Sequence, residues 1–433
     1  MAAPSQAEPA PLGTRVAWIL LDWAASAFST VLITLVVAYV EKVVFADSPW
    51  GVAPGVVWAW TLAAAMLASA VAAPWLAAWA DRRHAHQAAL MASVLAGSGC
   101  LFALGIAPPG WRLAVVACIV LATVGFDIGA IFTGSLLTKI ATGKGADRLS
   151  AAGFAAGYAG GGIALCLATA LVAAHDRFGL TTTGGLRLAF CLTALWWLGF
   201  SLPAAVARFG DGAGERHAPS SARELLDFAR SLARPQSAGG GDGRPLAAML
   251  AGAVLVLGAV QTAIAQFSSV ALEEFHLDAP ALVRLVLLVQ IVALPGAVGI
   301  GWISTRLGRP TGIALCLAGW LAVLVLAWFV RSVPQLHAVA VLLALVLGGI
   351  QSVIRAMVAD VAPEGRAGAT FGVLQVGTKL AGCAASLTFG LLHELSGNPR
   401  AGLAALLGQL LVGWWLLRDV TAAQAMPSTS RIE

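Results

Sequence analysis

Residues 18–35 read WILLDWAASAFSTVLITL, an apolar run broken by one carboxylate, Asp22. At ~1.5 Å of rise per residue a helix of this run covers most of a hydrocarbon core of about 30 Å. A carboxylate held at that depth costs at least ~2.5 kcal/mol. The stretch therefore reads as a membrane-spanning helix in which Asp22 has work to do. Ala24, Ala25, Ser26 and Ala27 keep one side of it lean, which suits close helix contact or a narrow aqueous path.

The rest of the chain has the same character. Of its 433 residues 59% are hydrophobic and 11% charged, against about 25% charged in a soluble globular domain, and its mean hydropathy is +0.86. This is the composition of an all-α integral membrane protein. The opening residues, MAAPSQAEPAPLGTR, lack the basic start and small-residue cleavage pattern of a secretory signal, so the first apolar run is expected to stay as a helix. Cys100, Cys118, Cys166, Cys191, Cys316 and Cys383 stand singly in apolar runs, without finger or redox spacing, and read as packing residues.

Apolar windows with few charges predict twelve transmembrane helices at 16–39, 56–79, 88–106, 113–137, 151–174, 188–207, 246–270, 282–303, 311–330, 336–358, 369–392 and 402–417. With the N-terminus inside, 18 of the 26 Lys and Arg fall on the cytoplasmic side, 7 fall outside, and Lys379 lies within a span. That bias orients both termini to the cytoplasm, in a bacterial-type inner membrane. The net charge of +5 follows the same bias and calls for no nucleic-acid partner.

A polar stretch, 209–245, divides the chain into six-helix halves at 1–208 and 246–433. Within it Leu225, Phe228, Ala229 and Leu232 recur at helical spacing behind the capping pair Ser221 and Glu224, which predicts a short amphipathic helix at the cytoplasmic surface. Arg223, Arg230 and Arg234 on it suit anionic lipid or plain solvent. The halves echo each other: Gly129-Ala130-Ile131, then charges, then Gly153-Phe154 and Gly157, against Gly348-Gly349-Ile350, then charges, then Phe371-Gly372. Two six-helix pseudo-repeats suit a protein that rocks around a midplane site.

Three stretches carry a family resemblance: Asp22 to Phe28 (DWAASAF), Ser150 to Gly162 (SAAGFAAGYAGGG), and the region from Gly348 to Lys379 with Gln351, Arg355, Pro363, Phe371-Gly372 and Lys379. They resemble the major facilitator superfamily and, within it, the vacuolar-effluxer-like family named for an autophagy-related amino-acid exporter. The family's usual aromatic before the first-span Asp and amide two residues after the Trp are replaced here by Leu21 and Ala25. Ile354, Ala369, Thr370 and Cys383 likewise stand where the family tends to carry Ser, an acidic residue and Pro. The resemblance implies secondary transport by alternating access, with amino acids as the implied solute class. It also implies that the fourth span lines a cavity.

Asp22, Asp127 and Lys379 lie six to ten residues inside their spans, or ~9 to 15 Å deep at ~1.5 Å per residue. Asp22 or Asp127 is the expected proton acceptor, with Lys379 modulating it; the competing reading is a fixed ion pair between helices. Gln261, Gln266, Gln290, Gln351 and Gln375 offer donor and acceptor together, for a zwitterionic solute or as interhelical links. Asp81, Arg82 and Arg83, with Arg355, Asp360, Glu364 and Arg366 in the second half, resemble the superfamily's cytoplasmic gate. Gly153, Gly157, Gly160, Gly161 and Gly162 thin the fifth span, and the eighth helix is their expected partner.

Trp50, Trp58, Trp60, Trp111, Trp302, Trp414 and Trp415 lie near span ends and read as an interfacial belt. His175, His276, His337 and His393, near outer ends, receive no ligand role. No phosphate loop, zinc motif or nucleophile elbow occurs, so neither an enzyme nor an ATP-driven pump is expected, and no cofactor beyond a proton gradient. The expected partners are a small-molecule substrate and the bilayer, with the chain as a monomer. Export of amphipathic drugs, or a non-transporting sensor or assembly factor on the same fold, are the alternatives.

Overall fold

The computed structural model describes residues 10–141, 143–209, 227, 230, 244–361 and 367–425. Its described residues form twelve long helices: α1 (Leu12–Val44), α2 (Pro54–Arg83), α3 (His86–Ile106), α4 (Arg112–Ile140), α5 (Gly143–Ala173), α6 (Thr182–Val206), α7 (Arg244–Glu274), α8 (Ala279–Leu307), α9 (Arg309–Phe329), α10 (Val333–Val361), α11 (Ala367–Ser396) and α12 (Pro399–Ala425). Eleven are long and apolar enough to cross a bilayer; α11, more polar because of Gln375, Thr378 and Lys379, is the twelfth. The chain is an all-α membrane protein of the two-domain major facilitator architecture.

The helices outrun the apolar windows. α1 continues to Val44 through π-helical turns at Leu32–Val36 and Val40–Val44, and α2 reaches Arg83. Backbone hydrogen bonding does not stop where hydrocarbon does, so charged terminal turns extend each helix toward headgroup depth. Inside the spans, Thr61, Ser98, Thr123, Thr133, Thr193 and Ser201 each donate to the carbonyl four residues back at 2.7 to 2.9 Å, which satisfies these six hydroxyls within their own helices.

Helix starts carry ordinary caps. Thr181 Oγ1 accepts from Gly184 N at 3.1 Å to open α6, and Asp278 Oδ1 accepts from Ala281 N at 2.8 Å to open α8, with Pro280 in its first turn. Asp278→Ala is expected to lower stability by about 1 kcal/mol, read as a reduced Tm of the purified protein.

The chain forms two compact units. The first comprises the described residues within Met1–Val31, Trp79–Ala107 and Ala117–Arg216. Its core is aromatic: Phe28 stacks on Trp197 at 5.0 Å and meets Phe126 at 5.5 Å. Arg187 of α6 caps the end of α3 through Gly105 O at 3.0 Å and Ile106 O at 2.6 Å. At the other end, Gln87 Nε2 ties α3 to the last turn of α6 through the carbonyls of Ala204, Ala205 and Ala207.

The second unit comprises the described residues within Leu32–Ala78, Pro108–Val116 and His217–Glu433. It cuts across the sequence halves because the last turns of α1 and most of α2 pack with α7 and α11. Thr262 Oγ1 donates to Gly382 O, Gln266 Nε2 to Ser386 Oγ, and His393 Nε2 meets Glu273 Oε1; each pair is separated by 120 residues. One constant separation over three contacts fixes α7 and α11 as parallel helices in register. Trp58, expected in the interfacial belt, is instead fully buried here, its Nε1 donating to Ala265 O at 3.1 Å. The other belt tryptophans are exposed as expected.

All six cysteines are free, Cys316 and Cys383 buried and Cys166 exposed. Of the expected surface helix, Asp227 and Arg230 form an exposed pair at 3.4 Å. Ser221, Arg223, Glu224, Leu225, Phe228, Ala229, Leu232 and Arg234 lie outside the described residues.

Candidate functional site

The glycines of α5 and the polar face of α1 make one contact. A Cβ at Gly153 would collide with Asp22 Oδ2 and stand 2.8 Å from the Trp18 ring. One at Gly157 would stand 2.7 Å from Ser26 Oγ, and one at Gly161 2.6 Å from Thr30 Oγ1. Asp22, Ser26 and Thr30 step by four along α1 while Gly153, Gly157 and Gly161 step by four along α5. The two helices therefore run parallel in register, as α7 and α11 do. This corrects the expected partner of the stripe: it faces α1, not the eighth helix. The stretch that carries the Asp and the stretch that carries the glycines are two sides of one interface, and α1 has needed polar groups there because glycine leaves room for them.

Around that contact side chains tie α1 to α4 and α6. Trp18 Nε1 donates to Thr133 O of α4 at 2.8 Å, and Trp23 stacks on Trp196 at 5.6 Å with Phe200 edge-on at 6.0 Å. Asp22 is half-buried, and Asp127 on α4 is only 8% exposed. Lys379 is half-buried on α11 in the second unit. None of the three charges is without a partner.

The amides do not converge on one cavity. Gln266 is buried and donates to Ser386 Oγ at 3.1 Å; Ser386 Oγ donates onward to Ala59 O at 2.7 Å, so this pair ties α7 to α11 and α2. Gln266 Oε1 is without a protein partner, and the residue lines an apolar cavity of about 50 Å³ with Phe267, Val323 and Leu343. That volume suits water and not a solute. Gln261, Gln290 and Gln351 are half-buried and Gln375 exposed, and none of them lines it.

Of the gate residues, Arg82 and Arg83 are exposed, and Arg83 lies over the Trp79 ring at 5.5 Å. The side chains of Asp81, Arg355 and Asp360, and residues Glu364 and Arg366, lie outside what is described.

A second cluster, which the sequence reading passed over, lies in the second unit where α1, α7 and α11 end and α2 and α12 begin. Glu41 is 4% exposed and engages Ser269; its Oε1 has no partner. Lys42 Nζ donates to Leu272 O at 3.2 Å. His393, set aside from the sequence, is 1% exposed with Nε2 at 3.0 Å from Glu273 Oε1. Arg400 holds Glu274 Oε1 at 2.6 Å, and Glu394 accepts from Ala53 N at 3.4 Å. α2 fits closely because residue 55 is glycine: a Cβ there would stand 2.5 Å from Glu273 Oε2, 3.0 Å from Ser269 Oγ and 3.2 Å from His393 Cε1. Among the described residues no group of three or more His, Cys, Asp and Glu is placed to hold a metal ion.

A model of the family described as vacuole effluxer Atg22 like matches residues 56–429. An uncharacterized MFS-type transporter of Bacillus subtilis (strain 168), YxiO, is 24% identical over 408 residues, covering 93% of this chain and 94% of that protein. The fold is similar to that of a D-xylose-proton symporter, at TM-score 0.67 and 15% identity over 96% of this chain and 98% of that one. It is also similar to the nucleoside transporter NupG, at TM-score 0.64 and 14% identity over 96% and 100%.

Proposed function

The chain belongs to the vacuole effluxer Atg22-like family of major facilitator transporters, and from that membership we propose that it exports a small polar or zwitterionic solute in exchange for protons. Amino acids are the solute class that the family resemblance implies. The transporter sits in an inner membrane with both termini cytoplasmic, as the 18-to-7 distribution of Lys and Arg supports. The proton gradient is its energy source, and it works as a monomer.

The observation that carries the coupling is the carboxylate of Asp22 set against Gly153 at the α1–α5 contact, inside an apolar span. A carboxylate there is neutral when desolvated and ionised when a cation or water reaches it. Rocking of α1 on its glycine track changes that access, so protonation and helix position are linked. Asp127, on the neighbouring α4, and Lys379 modulate the same balance. Gln261, Gln290, Gln351 and Gln375 are the amides that hydrogen-bond a passing solute, while Gln266 ties the seam.

The test is solute-driven proton movement in proteoliposomes carrying an internal pH dye, with amino acids, peptides, sugars and cationic drugs added in turn. Wild type is expected to show a substrate-dependent pH change with amino acids that Asp22→Asn loses. Solute flux with no proton movement would remove the coupling. A response only to cationic drugs would move the substrate class.

A further inference from the structure

The seam of α1 and α2 against α7 and α11 begins among small apolar residues, where Cys383 packs on Ala63 and Met66. It passes through the Gln266–Ser386–Ala59 chain and ends at the buried charges. Its end holds more acid than base. Of the facing cations, Lys42 is exposed, donates to Leu272 O and its charge also acts on Glu41, while Arg400 is engaged by Glu274 and the carbonyls of Trp328 and Val330. Glu394, on α11, accepts from the α2 backbone. No titratable group comes from the first turns of α2, where Gly55 closes the seam.

What remains is Glu41, Glu273 and His393. Each has one polar atom that is buried and unmatched: Glu41 Oε1, Glu273 Oε2 and His393 Nδ1. Two carboxylates and a histidine packed around Ser269 and Gly55 disfavour full ionisation, so a bound proton lowers the cost of burying their unmatched atoms. His393 Nε2, at 3.0 Å from Glu273 Oε1, puts a second proton-carrying group against the same carboxylate. A metal ion is the poorer occupant, because the three groups do not converge as a ligand set.

We propose that Glu41, Glu273 and His393 form a proton-binding site that holds this seam shut while it is loaded. Loading makes a carboxyl O–H or an imidazolium; unloading returns the proton to water at this end and leaves negative charge on the buried Glu41 and the half-buried Glu273 that drives the helices apart. This deepens the transporter reading and rests on it: in the orientation proposed above the site faces outside, where an exporter that runs on proton entry must take its proton.

Cys383, 7% exposed within the seam, is a built-in reporter. In detergent, with the other five cysteines replaced by alanine, its alkylation by a hydrophilic maleimide, divided at each pH by the rate for the same protein unfolded in denaturant so that the thiolate fraction cancels, is expected to quicken with rising pH. One linked proton gives up to roughly tenfold per pH unit through the titration, with slow labelling at the acid end. Glu41→Gln with Glu273→Gln, which mimics the loaded state, is expected to label slowly at every pH. His393→Gln, the milder variant should the double one not elute as a single species, is expected to shift the midpoint. Labelling that ignores pH, a pH response that survives the double variant, an unmoved midpoint in His393→Gln, or a response to sodium at fixed pH would each overturn the proposal. The readout needs no substrate and no gradient, so its failure leaves the Asp22 flux experiment intact, and failure of that experiment leaves this one intact.

Discussion

Gly157→Leu is expected to be strongly destabilised, whereas Gly162→Leu, five residues along the same helix, yields protein at least as stable as wild type. At Gly157 a Cβ already stands 2.7 Å from Ser26 Oγ and 3.4 Å from Asp22 O, so a leucine has to push α1 off α5. Overpacking a well-fitted contact costs about 1 to 3 kcal/mol when side chains can adjust. Here the Cβ already crowds Ser26 Oγ, the rest of the leucine has to go further into α1, and the displaced interface also holds Trp18 on Thr133 O and Trp23 on Trp196. The loss therefore lies at or above the top of that range, a large share of the 5 to 15 kcal/mol that holds a typical fold. Gly162 has nothing within 4 Å, and there leucine gains up to about 1 kcal/mol of helix propensity. Size-exclusion profiles after a heating series read both variants. Equal behaviour of the two would mean that the stripe does not set the helix register.

Much of this interface was legible before any coordinates, but only as two separate halves. The residues DWAASAF and the glycines at 153, 157 and 161 each announce close packing, because small residues at four-residue spacing thin a helix on one face. Nothing in one dimension says which helix fills the groove. The eighth was inferred from the architecture, and the register that pairs Asp22 with Gly153 emerges only when both helices are in place. Trp58 failed for a related reason: its position near a span end suggests headgroups, but whether a tryptophan faces lipid or another helix depends on what stands opposite, and Ala265 O does.

The charged end of the seam was missed through the window itself. Apolar windows stop at the first charges, at 39 and 270, so Glu41 and Glu273 fell into loops. The helices run on through them, to Val44 and Glu274. A usable signal was present in the pairs Glu41-Lys42, Glu273-Glu274 and His393-Glu394, which close three spans that leave the membrane at the same end. Charges that only mark a boundary have no reason to recur on the helices of both repeats. The gate residues after the second span were singled out by resemblance, yet it is the opposite end that buries ionisable groups, Glu41, His393 and Arg400.

The same end supplies the other large effect. Arg400→Leu is expected to cost about 3 to 5 kcal/mol, the range for removing one partner of a buried ion pair. Arg400 is 6% exposed, and its guanidinium makes three bonds: Glu274 Oε1 at 2.6 Å, Trp328 O at 2.9 Å and Val330 O at 2.7 Å. The two carbonyls belong to the end of α9, where the last carbonyls of a helix have no partner of their own. Leucine fills the volume but leaves both carbonyls and a carboxylate unpaired. Arg400→Lys keeps the charge without the planar fork, so it is expected to recover only part of the loss. Glu274→Gln combined with Arg400→Leu removes the stranded charge and should be more stable than Arg400→Leu alone, an interaction that the double-mutant cycle isolates. Thermal melts of wild type, Arg400→Leu, Glu274→Gln and the double variant measure it, with Arg400→Lys alongside. If Arg400→Leu melts with wild type, the guanidinium is not what closes α9 and α12 onto α7, and the close fit of the seam beside Glu273 and His393 has to be held by the Gln266–Ser386–Ala59 chain instead.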